Sequence, residues 1–278
     1  MSNTFKGKEF SFDLGKKTYI MGILNVTPDS FSDGGDFVDA DKAVEHALEM
    51  ARDGADIIDI GAQSTRPGHT PVSAEEEMRR LKPVLQALKD KNLVISVDTY
   101  YPEVAKFALE ISADIINDVS GEFNSEMAQV VKEYGAGWIL MHTGGKSASE
   151  TADYDGCVTD SVNEFFDDVL LKAKEYAIPL NNICLDCGIG FGKSYEDNLE
   201  LLQNADLIKR DNIALLYAVS RKRVIGTATM VDEPKQRLYG TIAANTAAIM
   251  GGADIIRVHD VKECSQAAKM IDAIIMRG

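Results

Sequence analysis

A five-residue string that occurs three times constrains this chain more than any other feature. Gly54-Ala-Asp-Ile-Ile58 returns as Ser112-Ala-Asp-Ile-Ile116 and again as Gly252-Ala-Asp-Ile-Ile256. Each copy follows a stretch rich in Ala, Glu and Lys and runs into a short apolar segment. A helix stopped by a small residue and leading into a buried strand is the second half of a βα unit. Short apolar runs fill the gaps at similar spacing, which gives eight predicted strands: 19–24, 56–60, 93–98, 114–119, 137–141, 182–186, 213–219 and 254–258. Between them lie amphipathic segments such as Asp39–Arg52, Ser73–Asp90, Ser161–Tyr176 and Val261–Met276. Strands alternating with helices imply a parallel sheet, and eight units favour closure into a (β/α)8 TIM barrel of the α/β class. A doubly wound open sheet is the alternative architecture. Lys8–Lys17 reads as a small hairpin over the amino-terminal mouth of the barrel.

No Pro/Gly/Ser-rich linker or low-complexity tract divides the 278 residues, so the whole chain reads as one domain. The formal charge of −15, from 44 acidic and 29 basic residues, opposes a nucleic-acid footprint or an anionic membrane surface. Any phosphate must therefore meet a few placed cations. No apolar run reaches membrane-span length, and Met1–Phe12 lacks a signal-peptide core. Four cysteines in a chain of this size do not make a disulfide framework, and the expected compartment is the cytoplasm.

In a closed barrel the active site lies where the strands end. Here most apolar runs stop in groups that are costly to bury without a purpose. The first ends in Asn25, the third in Asp98, the fourth in Asn117 and Asp118, the fifth in His142 and the sixth in Asp186. The seventh ends in Ser220-Arg221-Lys222 and the eighth in Arg257, His259 and Asp260. Asp98, Asn117, Asp186 and Lys222 supply the acceptors and donors that suit an amino-pyrimidinone edge. Arg257, His259 and Asn25 come from the last and first strands, which are neighbours in a closed barrel, and together suit an anion. Asn25 also offers an oxygen to Mg2+, which favours such ligands. The bland reading of Arg257 is an ion pair with Asp254 or Asp260.

Three strings are discounted. Gly188-Ile-Gly-Phe-Gly-Lys-Ser194 imitates a P-loop, but Cys187 stands where the first glycine is required. Gly145-Lys-Ser147 fails in the same way, with Leu140 at that position. Cys184 and Cys187 have zinc-like spacing but no second pair, since Cys157 and Cys264 stand apart. His46 and His69 read as surface residues, and Trp138 as core.

Two loops carry Pro and Gly punctuation together with hydroxyls, acids and an aromatic that do nothing for a core: Thr27–Gly35 and Gln63–Gly68. With Asn25-Val-Thr-Pro-Asp-Ser-Phe-Ser-Asp-Gly-Gly35, Ser64-Thr-Arg-Pro-Gly68, Ser96-Val-Asp-Thr-Tyr100, Ile116-Asn-Asp118, Met141-His142, Gly188–Lys193, Ser220-Arg-Lys222 and Arg257-Val-His-Asp260, the chain resembles the dihydropteroate synthases from about Tyr19 onward. The resemblance implies condensation of 6-hydroxymethyl-7,8-dihydropterin pyrophosphate with 4-aminobenzoate, assisted by Mg2+, in a step where pyrophosphate leaves first. On that resemblance Asp98, Asn117, Asp186, Lys222, Arg221 and Met141 hold the pterin. Asn25 with Mg2+, Arg66, Arg257 and His259 take the pyrophosphate. Phe31, Thr65, Pro67, Ser220 and Arg223 build the aminobenzoate pocket, and a homodimer is implied.

The chain departs from the family's usual residues at Ala62 and Gln63 (usually Gly-Glu), Cys187 (Pro), Ala218 (Gly) and Arg223 (Ser), and these bear on aminobenzoate use. Two rivals stand beside this reading. One is a pterin-dependent methyltransferase on the same barrel, which would have no use for the first-loop string. The other is a pterin carrier without turnover.

Overall fold

The computed structural model describes residues 3–26, 36–63, 72–144, 151–152, 154 and 156–275, with side chains of the first helix described from Ala40 onward. Eight parallel strands close on themselves: β3 (Tyr19–Asn25), β4 (Ile57–Gly61), β5 (Val94–Asp98), β6 (Ile115–Asp118), β7 (Gly137–Met141), β8 (Ile183–Asp186), β9 (Ala214–Tyr217) and β10 (Ile255–Val258). The ring closes where β10 pairs with both β9 and β3. Every predicted strand is present, and the open sheet is excluded.

The helices α1 (Asp36–Asp53), α2 (Ala74–Leu88), α3 (Pro102–Ile111), α4 (Ser125–Tyr134) and α5 (Val158–Glu175) follow the strands in turn. After β8 come α6 (Tyr195–Gln203) and the short α7 (Ala205–Ile208); α8 (Arg223–Thr229) and α9 (Leu238–Met250) follow β9, and α10 (Val261–Ile274) closes the chain. Local chemistry starts several of them. Ser73 caps α2 by accepting from the Glu76 amide at 3.3 Å, Asn124 caps α4, and Ser194 and Asp197 form a reciprocal capping box on α6.

The repeated string proves to be a register lock. Asp56, Asp114 and Asp254 each stand just before an even-numbered strand and grip the second residue of the strand before it. Their carboxylates accept from the amides of Ile20, Ile95 and Leu215 at 2.9, 2.9 and 3.0 Å. Their own amides return a bond to the carbonyls of the same three residues at 2.8, 2.8 and 2.9 Å. Each aspartate thus satisfies both backbone groups of one residue at the amino-terminal end of the barrel. A slip of one position would turn every lumen side chain outward.

Below the lock, a hairpin seals the mouth, but not where the sequence placed it. Its strands are β1 (Thr4–Lys6) and β2 (Ser11–Asp13), with the turn closed by the Gly7 amide on the Phe10 carbonyl at 3.1 Å. Phe5 and Phe12 face each other across the ladder, and Phe5 and Phe10 are buried against the lower lumen residues Met21, Ile57, Ile115, Ile139, Cys184, Ala214, Leu216 and Ile255. The aromatic alternation sets this hairpin rather than Gly15. Two further apolar layers fill the space between barrel and helices, one of them around Trp138 and Phe166. The cysteines are unpaired, and among the described residues no helix is long and apolar enough to cross a membrane.

Candidate active site at the carboxyl ends of the strands

Side chains alternate in and out along a strand, so lumen positions recur every second residue. Two residues beyond the apolar lower layer, the same strands turn polar. Ile57 gives way to Asp59, Ile115 to Asn117, Cys184 to Asp186, and Ile255 to Arg257. Arg257 is the hub. Its Nε donates to Asp59 Oδ2 at 2.6 Å and its Nη2 to Asp98 Oδ2 at 2.9 Å, while Asn117 Nδ2 donates to Asp59 Oδ2 at 3.2 Å. The expected partners Asp254 and Asp260 are taken by Lys209 and Arg221, so Arg257 is ion-paired but with different carboxylates.

Asp59 was missed in the sequence because the second run showed no polar terminus; an acid inside Ile57-Ile58-Asp59-Ile60 at a lumen position was the available signal. It is fully buried, and Asp59 Oδ1 and Asn117 Oδ1 lack hydrogen-bond donors among the described residues. Buried acceptors are normally satisfied. Two together in the mouth of a barrel point to a ligand's donors.

Across the mouth, Asp186 accepts from the Gly188 amide at 2.8 Å and is raised above the usual carboxylate range by burial, with Lys222 opposing the rise. Lys222 bonds the Ile189 carbonyl and lies 4.6 Å from the Phe191 ring centroid. Burial pulls its ammonium down to about 8, with Asp186 opposing. Asp98 is pushed up to about 7 by burial, Arg257 pulling it back and Asp59 adding to the rise. Met141, buried at the end of β7, is the register partner of Asp186.

Asn25 ends β3 half-buried, and its register partner Gly61 is in turn the partner of Asp98. A side chain at Gly61 would meet Asn25 Oδ1 at 3.6 Å and Asp98 Cβ at 3.7 Å, so these two groups look at each other over a bare backbone. The Asn25 side chain makes no hydrogen bond among the described residues. His259 Nδ1 lies 3.0 Å from Ser220 Oγ, joining the ends of β9 and β10. Arg221 sits in the left-handed region at φ 59°, its amide on Thr241 Oγ1, its carbonyl accepting from Arg237, and its guanidinium on Asp260.

Other expected rim groups turn away. His142 faces α5, with Nε2 3.3 Å from Ser161 Oγ and its ring against Phe165 and Tyr154; burial lowers it to about 3. Asp118 accepts from Trp138 Nε1 at 3.3 Å and from the Ser120 amide, on the helix side of the sheet. Arg223 opens α8 exposed and makes no ion pair among the described residues. Phe31, Thr65, Arg66 and Pro67 lie outside the described residues.

Three of the departures have visible places. Gln63 accepts from the Val72 amide and donates to Tyr100 Oη, both at 2.9 Å, tying together the chain on either side of residues 64–71. Cys187 is buried in the layer between barrel and helices, and Ala218 lines the lumen. The P-loop resemblance of Gly188–Ser194 fails structurally as well. The amides of Gly188, Gly190 and Phe191 are already spent on Asp186, Asn198 and the Gly188 carbonyl.

The family model described as "Pterin binding enzyme" matches residues 21–259. The dihydropteroate synthase of Clostridium beijerinckii is 45% identical over 269 residues, covering 96% of this chain and 97% of that protein. The dihydropteroate synthase of Clostridium difficile, solved in the presence of pteroic acid, superposes with a TM-score of 0.89 at 47% identity, over 95% of this chain and 98% of that one. The Xanthomonas albilineans dihydropteroate synthase with 4-aminobenzoic acid gives a TM-score of 0.91 at 37% identity, over 99% of each chain.

Proposed function

Because the chain belongs to the pterin-binding enzymes, and among them to the dihydropteroate synthases of folate biosynthesis, we propose that its own rim residues divide the two substrates as follows. Asp186, Asn117 and Lys222 hold the amino-pyrimidinone edge of the dihydropterin, with Met141 beneath and Arg221 over its face. Arg257, His259, Asn25 and Arg66 take the pyrophosphate. Ser220, Arg223, Phe31, Thr65 and Pro67 receive the aminobenzoate. The observation that carries this is the pair of buried acceptors on Asp59 and Asn117, without donors among the described residues, inside a charged lumen.

The chemistry that suits this arrangement breaks the bond between the exocyclic carbon and the pyrophosphate oxygen first, the electron pair leaving with pyrophosphate. Asp98, held by Arg257, faces the cationic pterin so formed. The aryl amine nitrogen then bonds to the exocyclic carbon and gives up a proton to solvent or the departing pyrophosphate. Preorganised charge does this work, and neither a covalent enzyme intermediate nor a general base is needed. Asn25 fits a role toward Mg2+ only in part. It offers one neutral oxygen, and among the described residues no cluster of three His, Cys, Asp or Glu could complete a site. A hard cation there would need substrate oxygens and water for the rest of its shell. When bound, Mg2+ would supply neutralising charge to the leaving pyrophosphate.

A homodimer is supported by α9. It has no charged residue, and Tyr239, Ala243, Ala247 and Met250 form an exposed stripe along it, with Tyr239 84% and Met250 64% exposed. Sedimentation equilibrium tests this, and a monomer at micromolar concentration would refute it. The division of substrates is tested by pyrophosphate release. Release should depend on added 4-aminobenzoate; a chain that binds the pterin pyrophosphate but shows no such dependence would be a carrier.

A further inference from the structure

Lys193 ends the glycine-rich string that the sequence offered as a false P-loop, and it is only 3% exposed. Among the described residues it makes no ion pair. Its ammonium donates instead to three backbone carbonyls: His142 at 3.2 Å, Gly188 at 3.0 Å and Phe191 at 3.1 Å. A P-loop converges N–H groups on an anion; this loop converges carbonyls on an internal cation. Burying an ammonium is expensive, and burial draws this one down to about 8. So costly a group holds its place only if the three carbonyls it gathers are worth gathering.

What they hold is the seat of Lys222. The Ile189 carbonyl accepts from Lys222 Nζ, the Phe191 ring lies 4.6 Å below it, and a Cβ added to Gly190 would meet Lys222 Cδ at 3.1 Å. These contacts fall on consecutive residues of the loop that Lys193 ties down. The loop's other end is fixed to Asp186 through the Gly188 amide. Gly188 sits at φ +66°, where a Cβ would lie 1.9 Å from the His142 carbonyl, one of the three gathered oxygens. Only glycine permits that approach. The loop is therefore shaped by a cation at its centre and presents a second lysine on its outer side.

We propose that Lys193 is a positioning residue for the pterin site, its ammonium fixing residues 188–192 as the platform that holds Lys222 toward the ligand. The inference rests on the reading of Lys222 as a pterin-binding group, and a double-mutant cycle separates the two. Titrating the full chain with 6-hydroxymethylpterin, Lys222→Met alone should weaken binding about 10-fold, within the span of measured couplings between contacting groups. Lys193→Met should weaken it by a similar factor, and the double variant by little more than Lys222→Met alone. If Lys222→Met leaves the affinity unchanged, the reading of the site fails. If Lys222→Met weakens binding but the two losses multiply to about 100-fold, Lys193 does not act through Lys222 and the proposal is overturned. Lys193→Ala opens a space that a free ammonium ion can enter. Ammonium chloride should restore most of its pterin affinity where sodium chloride at equal ionic strength does not. No recovery counts against the proposal.

Discussion

The lower and upper halves of the barrel lumen are built from the same strands and differ by one step of the side-chain alternation. In the lower half Ile57, Ile115, Cys184 and Ile255 pack against Phe5 and Phe10 of the hairpin. Roughly 6.6 Å higher, at two residues of strand rise, Asp59, Asn117, Asp186 and Arg257 occupy the equivalent positions. The lower layer has every reason to be there for stability alone. The upper one carries buried acids, a cation that must serve two of them, and acceptors with no donor among the described residues. Such a layer costs desolvation energy that ligands can recover, which is what separates a site from a core.

The largest effect is expected from Asp59→Ala. Asp59 is fully buried and receives both Arg257 and Asn117. Its loss leaves Arg257 with one carboxylate, and destabilisation of about 3–5 kcal/mol is expected in a urea titration, as for a broken buried pair. A loss within about 1 kcal/mol, the worth of an exposed pair, would mean that the upper-layer charges are solvated and not held as a buried, ligand-ready cluster.

Asp98→Asn should act the other way. Arg257 keeps Asp59, so the fold survives, while turnover falls on the order of 10²-fold through loss of charge beside the developing cation. Turnover within a few-fold of the parent would remove Asp98 from the chemistry. The same groups set the pH profile. Asp98 is raised to about 7 and must be ionised, and Lys222 is lowered to about 8 and must be protonated. The kcat/KM for the pterin pyrophosphate should therefore rise with pH through about 7 and fall through about 8, and Asp98→Asn should lack the rising limb.

Arg257→Ala and His259→Ala should separate a residue deep in the lumen from one at its rim. Arg257 holds both Asp59 and Asp98, so its loss should weaken the pterin as well as the pyrophosphate. His259, whose Nδ1 lies 3.0 Å from Ser220 Oγ at the rim, should affect pyrophosphate more than the pterin, by several-fold, as expected for one charge-assisted contact. Parallel losses for both ligands in both variants, read by calorimetric titration, would make His259 structural.

The smallest effect is expected at Arg223, outside the lumen and exposed. Arg223→Ser should raise the KM for 4-aminobenzoate a few-fold and leave that for the pterin pyrophosphate alone, and salt should shrink the difference. An unchanged aminobenzoate KM leaves Arg223 as a solvated side chain.

The repeated Ala-Asp-Ile-Ile strings, the eight apolar runs and their polar termini were enough to specify a closed barrel and where its site lies, because those are local patterns of period and burial. That Asp98, Asn117, Asp186 and Lys222 sit at the barrel mouth was legible for the same reason: each lies at or just past the end of an apolar run. Facing was not legible. His142 and Asp118 end runs just as Asp186 does, yet they point to the helices, since adjacent residues take opposite faces and only the closed sheet says which face is the lumen. Pairing was not legible either. Arg257 met Asp59, 198 residues away in sequence, rather than the nearby Asp254 or Asp260, because closure sets strands from the two ends of the chain around one mouth. Lys193 carried a motif's spelling and the opposite chemistry, because the direction of backbone carbonyls and amides is set by the left-handed turns at Gly188, Gly190 and Gly192 and is written in no side chain.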